Sequence, residues 1–235
     1  MVKKMDLYRK TAIIVGVLFI AATVTSVIGG LLVESIIDSP DDLVNVSENE
    51  NQVILGVLLE LTWAASAVAI TVLMFPILKK QNEGLALGYV GARIFEGVIA
   101  VVGAISGLLL ITLSQEFVIA GAPDASYFQA FGILLLGARD LAWWIGPMIV
   151  FAISALIFNY LLYHSKFIPR WLSVWGFIGA TLLLAEGLLG MFDLTISTFL
   201  AAPIAVQEMV LAVWLIVKGF NPSAIASKSA KKDTN

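Results

Sequence analysis

Six long apolar stretches are the feature that most constrains how this 235-residue chain can fold. A helix needs about 20 apolar residues to cross the hydrocarbon core of a bilayer. Backbone polar groups in lipid must be satisfied internally, so stretches of this length favour helices. The predicted spans are 10–34, 53–78, 85–113, 141–163, 171–190 and 198–218. The expected fold is all-α, a polytopic membrane protein built as a six-transmembrane-helix bundle.

The sequence predicts one membrane domain, residues 1–220, followed by a disordered cytoplasmic tail, residues 221–235. Only 13% of the residues are charged, whereas soluble domains carry about 25%. The sequence leaves open whether residues 127–140 extend the fourth span or form a separate outer segment. Gly146-Pro147 predicts a kink in that span, because proline lacks a backbone N–H.

The distribution of basic residues predicts the orientation of the spans. All but two of the 14 Lys and Arg residues fall on one side of a six-span arrangement. The opposite connections, 38–52, 114–126 and 191–197, contain acidic residues and no Lys or Arg. Because basic connections stay in the cytoplasm, we expect a multi-pass plasma-membrane protein with cytoplasmic N- and C-termini.

Seven ionisable side chains lie inside or at the edge of the predicted spans. A charge at the centre of a bilayer costs roughly 2.5–3.5 kcal/mol even on the most permissive scale. These side chains must therefore face one another, a ligand or water, and they are the candidate ligand-binding or proton-relay residues. They are Glu60, Arg93, Glu96, Arg139, Asp140, Glu186 and Glu208.

The positions of these charges along the helices predict a polar pocket inside the bundle. Each intramembrane acid shares a helical face with small residues, which allow close helix packing. Arg93 and Glu96 are three residues apart and can pair directly. Glu208 falls at about the depth of Glu96, so the two acids meet if the third and sixth spans are neighbours. Arg139 and Asp140 fall near the outer boundary, and the pocket is expected to widen toward that side.

The charges inside the predicted pocket do not balance. Five acids accompany two arginines, so at least one carboxyl is expected to carry a proton. A shared proton between Glu96 and Glu208 is the specific expectation. The alternative interpretation is that the charged residues are buried ion pairs that stabilise the bundle.

Several chemistries are excluded or disfavoured by residues that the sequence lacks. A single histidine, His164, excludes a multi-histidine zinc site, and the absence of cysteine excludes iron–sulfur clusters and thiol nucleophiles. No G-x-S-x-G motif or phosphate-binding glycine loop is present. We therefore expect no catalytic residue, no metal site and no cofactor, and no nucleic acid as a partner.

Several short motifs resemble one known family. They are the turn at 82–86, the Arg93-x-x-Glu96 pair, the turn at 167–172, and Pro203 with Glu208 and the stretch 214–219. Together they resemble a prokaryotic six-helix integral-membrane family catalogued only as a domain of unknown function. The resemblance covers nearly the whole chain and implies this fold and topology, but no activity. The positions that match the polar signature of the family are Arg93, Glu96 and Glu208.

The leading functional hypothesis is a transporter-like protein of the plasma membrane. Its acidic intramembrane pocket would bind or transport a small cationic or amphipathic ligand, with possible coupling to protons. One alternative is an intramembrane enzyme acting on a lipid or isoprenoid, with a buried Glu as general acid, which the missing catalytic motifs disfavour. Another is a structural or sensory subunit of a membrane complex. The partners expected are the lipid bilayer and a small-molecule or lipid ligand, and the oligomeric state is left open.

The orientation can be tested with single cysteines in this cysteine-free chain. We expect Ser47→Cys to react with an impermeant thiol reagent in intact cells, and Ser229→Cys to react only after the cells are opened. The opposite labelling pattern would reverse the orientation.

Overall fold

The computed structural model describes residues 2–37, 43–121, 126–192, 194 and 198–225. Within these ranges the chain is helical and contains no strand. The helices are α1 (Val2–Ile37), α2 (Leu43–Glu48), α3 (Glu50–Leu78), α4 (Glu83–Ile119), α5 (Ser126–Trp143), α6 (Phe151–Ser165), α7 (Arg170–Gly190) and α8 (Ala202–Val217), with a π-helix at Trp144–Val150 and a 3₁₀-helix at Thr198–Ala201. The all-α prediction is therefore confirmed.

Six helical segments in the described ranges are long and apolar enough to span a membrane. They are Leu7–Ile37, Glu50–Leu78, Glu83–Ile119, Tyr127–Ser165, Arg170–Gly190 and Phe199–Val217. The chain is thus a multi-pass membrane protein in a lipid bilayer environment. The predicted tail is described only as far as Ile225, and the acids Asp38, Asp41, Asp42, Asp124 and Asp193 and the labelling position Ser229 lie outside the described residues.

The fourth span is one continuous helical segment made of α5, the π-helix and α6. Pro147 lies inside the π-helix, and the N–H of Phe151 donates to the carbonyl of Gly146, five residues earlier. This wider helical turn accommodates the residue that lacks an N–H. The segment begins at Tyr127, so residues 127–140, which the sequence left open, extend this span, and Arg139 and Asp140 lie within the helical segment.

The six spans form a closed ring in chain order. Each span packs against the next one, and α8 returns to pack against α1. The helices α1 and α3 approach closely, and glycines face each other at their contact. A Cβ atom at Gly56 would lie 2.5 Å from the side chain of Val33 and 2.9 Å from the backbone oxygen of Gly29. Small residues of this kind let membrane helices approach closely.

The two ends of the ring differ in charge. At one end, here called the basic end, Arg9 of α1 donates hydrogen bonds to the carbonyls of Leu215 and Ile216 of α8, at 3.3 and 2.7 Å. Lys80 contacts the hydroxyl of Tyr8 at the same end. The opposite end, here called the acidic end, carries α2 and a hydrogen bond of 2.6 Å between Gln115 and Glu50. The basic residues of four chain segments therefore share one end of the bundle.

The basic end is filled by a core to which all six spans contribute. Its fully buried members include Val15, Met74, Leu161, Leu172 and Leu215. A separate apolar core joins α1, α2, α3, α4 and α5 toward the acidic end. The space between these cores, at the middle of the ring, is where polar residues gather.

The contact between α1 and α3 gives a test of the ring. We expect Gly56→Ala to lower the free energy of unfolding by about 1–3 kcal/mol, because the new methyl group meets Val33 and the backbone of Gly29. Gly91→Ala is the matched control, since nothing lies within 4 Å of a Cβ there. Denaturant unfolding in detergent measures both, and equal stabilities would contradict this packing.

Candidate functional site

Arg93 and Glu96 of α4 form a buried ion pair at the middle of the ring. Nη1 of Arg93 lies 2.7 Å from Oε2 of Glu96, and the residues are 4% and 1% exposed. The spacing of three residues places both side chains on the same face of the helix, as the sequence predicts. The pair is therefore set by α4 alone, before any contact between helices is considered.

The protein leaves part of this pair without hydrogen bonds. Nε of Arg93 and Oε1 of Glu96 are buried and have no partner among the described residues. The guanidinium of Arg93 also lies over the ring of Phe151, 4.8 Å from its centroid. Buried polar atoms are nearly always hydrogen-bonded. Polar atoms without a hydrogen-bond partner beside a cavity therefore mark a place where a polar group can bind.

Glu208 of α8 faces this pair across a cavity. Its carboxyl is close enough to Arg93 and Glu96 to interact with both charges. The helices α4 and α8 are not neighbours in the ring, because α8 packs against α1 and α7. Glu96 and Glu208 therefore border the same cavity from opposite sides of the ring and not at a helix–helix contact, and a proton shared between them stays a prediction.

The cavity between them, here called the central cavity, has a volume of about 210 Å³ and is lined by all six spans. Its charged groups are Arg93, Glu96 and Glu208, Thr23 and Ser26 add hydroxyls, and its apolar wall includes Phe19 and Phe151. A cavity of about 150 Å³ can hold benzene. The central cavity therefore has room for one small molecule or one lipid headgroup.

A second ion pair joins α3 to α5. Arg139 binds the carboxylate of Glu60 with both terminal nitrogens, one of them at 3.1 Å, and also contacts the carbonyl of Gly103. A two-pronged pair of this kind fixes the relative position of two helices as well as neutralising both charges. It lies toward the acidic end of the bundle and not beside Arg93.

The Glu60–Arg139 pair borders a larger cavity of about 460 Å³, here called the acidic-end cavity. Its wall also contains Asp140 and Glu34, both exposed. The acidic-end cavity, at about 460 Å³, is thus larger than the central cavity, at about 210 Å³, and a widening toward the outside stays a prediction. The sequence reasoning missed Glu34, whose position as the last residue of the first predicted span was the available signal.

The two cavities meet at a pair of tryptophans. Trp63 and Trp143 line both cavities, and their ring centroids are 6.4 Å apart. Pro147 also lines both, and the π-helix begins directly after Trp143. The wall between the cavities therefore consists of aromatic side chains beside an irregular helical turn.

The chain matches one known protein family. Residues 14–219 match the family model described as a domain of unknown function, DUF4386. The chain belongs to the DUF4386 family. The resemblance inferred from the sequence is thus confirmed, and no curated protein and no solved structure matches the chain. In this DUF4386 protein the candidate residues Arg93, Glu96 and Glu208 all border the central cavity.

Glu186 joins neither cluster of this DUF4386 protein. Its carboxyl lies by the backbone N–H of Ala201, where α8 begins, and its Oε2 has no hydrogen-bond partner among the described residues. A carboxylate at the N-terminus of a helix is stabilised there by the helix dipole. Glu186 is therefore best explained as a carboxylate that stabilises the start of α8.

Two amides beside the central cavity were missed by the sequence reasoning. Asn159 and Gln207 line a small space that also borders Arg93 and Glu208. Gln207 donates to the carbonyl of Leu172 at 3.1 Å, and Asn159 donates to that of Ala155 at 2.9 Å. The reasoning considered only ionisable groups, whereas an amide within an apolar run is itself a signal of interior polarity.

The central ion pair gives a test of burial. We expect Arg93→Met to lower the free energy of unfolding by about 3–5 kcal/mol, because it leaves Glu96 as an uncompensated buried acid. The double variant Arg93→Met/Glu96→Gln should lose less, since no unpaired carboxylate of the pair remains. Denaturant unfolding in detergent measures both, and a double variant as unstable as Arg93→Met would argue against this explanation.

Proposed function

We propose that this protein binds a small cationic or amphipathic molecule in the central cavity, in the plasma membrane and with both termini in the cytoplasm. The observation that carries the proposal is the buried Oε1 atom of Glu96, which has no hydrogen-bond partner among the described residues. Glu96 and Glu208 line the same cavity. Two acids and one arginine give the cluster a formal negative charge. A positively charged group balances this charge, whereas an anion would add to it.

The surrounding side chains fit such a ligand. An ammonium group can donate to Oε1 of Glu96 and to the carboxylate of Glu208, while Arg93 holds the other oxygen of Glu96. The aromatic rings of Phe19 and Trp63 in the cavity wall suit the apolar part of an amphipathic cation and attract its charge. The role of Arg93 is then to position Glu96 and not to touch the ligand.

Access is proposed to run through the acidic-end cavity. Toward the basic end, the core formed by all six spans closes the ring, and Phe158 stacks on Tyr89 at 4.9 Å just below the site. Toward the acidic end, Trp63, Trp143 and Pro147 line both cavities. π-Helical turns are frequent at functional sites, and a rotation of Trp143 would join the cavities. Transport would then require the basic-end core to open in a second step.

Proton coupling is a further part of the proposal. Two carboxyls beside one guanidinium favour retention of a shared proton, and an arriving cation would displace it. Binding would therefore strengthen as the pH rises, because the carboxylate form of the site is the form that binds.

Binding of a cation can be separated from binding of an apolar molecule of the same shape. We expect benzylammonium, which carries three N–H donors, to bind the protein in nanodiscs, and its neutral isostere ethylbenzene to bind no more than to empty nanodiscs. Glu208→Gln should weaken binding of the cation by about tenfold or more, because it removes a charge from a site of low dielectric constant. Glu186→Gln is the matched control, since it removes an acid that borders neither cavity.

Calorimetry at several pH values completes this test. The wild type and Glu186→Gln should bind the cation more tightly as the pH rises, and Glu208→Gln should lose that dependence. If Glu208→Gln changes only thermal stability, the structural interpretation of the charged cluster is favoured. If both acids have equal effects, the central cavity is not the site.

A further inference from the structure

A cleft at the basic end lies between the α6–α7 turn and the end of α8. It has a volume of about 510 Å³ and is lined by residues 166–170, Trp214 and residues 218–222. The N–H of Asn221 donates to the carbonyl of Phe167 at 2.8 Å, and the rings of Phe167 and Phe220 pack with centroids 6.2 Å apart. The two walls of the cleft are therefore fixed to each other by contacts that do not involve its charged side chains.

Three cations line this cleft and no carboxylate does. They are Lys166, Arg170 and Lys218, all exposed, and none of them forms an ion pair with a described residue. The guanidinium of Arg170 lies over the ring of Tyr163, 4.9 Å from its centroid, which keeps it at the rim. Lys166 adopts a left-handed backbone conformation, with φ of 58°, at the end of α6. Unpaired cations around one cleft form a site for an anion.

The position of the cleft indicates where that anion comes from. Trp214 lines the cleft, and the exposed Trp171 stacks on Trp175 in the first turns of α7. Tryptophans mark the level of the lipid headgroups in membrane proteins. Nearby tryptophans therefore indicate the headgroup level as the position of the three cations.

We propose that this cleft binds the phosphate of an anionic phospholipid. The lysines Lys166 and Lys218 supply charge from opposite walls, and Arg170 adds a planar donor suited to phosphate oxygens. The backbone N–H groups of the first turn of α7 begin at Arg170, on the same wall, and favour a negative charge. The bound lipid bridges the α6–α7 turn and the end of α8. This site is separate from the central cavity and does not depend on the function proposed for it.

Native mass spectrometry of the full chain in detergent can test the proposal, with phosphatidylglycerol and phosphatidylcholine as the added lipids. We expect retention of phosphatidylglycerol by the wild type and its loss by on the order of tenfold or more in Lys166→Gln/Lys218→Gln. Lys79→Gln/Lys80→Gln is the control, because it removes the same charge from the same end at residues outside the cleft. The control should retain phosphatidylglycerol as the wild type does.

Other results would overturn the proposal. An equal loss in both double variants would show general attraction to the basic end, and equal retention of the two lipids would show no headgroup preference. Displacement of phosphatidylglycerol by inorganic phosphate at low concentration would identify a site for the free ion. If the cleft variant fails to fold, the wild type alone decides, because phosphatidylglycerol should raise its melting temperature and phosphatidylcholine should not.

Discussion

A charged side chain in the hydrocarbon core of a bilayer is costly unless another charge neutralises it, and this cost governs the arrangement of the six spans. Arg93 and Glu96 neutralise each other within one helix, and Glu60 and Arg139 neutralise each other between two helices. The ring closes around the first pair and orients the face of α4 that carries it inward. Glu208 has no such protein partner at hydrogen-bonding distance among the described residues, and it is the charge that most needs a ligand or a proton.

The closed ring also explains why a cavity persists at its centre. Helices packed in chain order around a circle bury their inward faces against one another only where the side chains are large enough to fill the middle. Leucine, methionine and phenylalanine side chains do this at the basic end. At the middle of the ring the inward positions include Ala205 and polar residues, and about 210 Å³ stays open. A buried ion pair at such a position adds less to stability than apolar packing of the same volume would.

The π-helix of the fourth span lies where the two cavities adjoin. Pro147 cannot complete the regular hydrogen-bonding pattern, and the wider turn places Trp143 beside Trp63. Here the irregular turn sets the aromatic wall between the central and acidic-end cavities, which connects a local backbone feature to the proposed route of a ligand.

Local rules were enough to predict the spans, because hydrophobicity and length act residue by residue along the chain. They were also enough for the Arg93–Glu96 pair, whose partners are one helical turn apart. They left the start of the fourth span open, since Arg139 and Asp140 interrupt its apolar run and the partner of Arg139 is Glu60, which is distant in sequence. The division of the seven charges into a central cluster, an acidic-end pair and the separate Glu186 likewise depended on the order of helices around the ring. The sequence alone determined which segments enter the membrane and which residues share a helical face. Only the tertiary structure decided which faces meet, because pairing between helices depends on how the ring closes and not on spacing within any one helix.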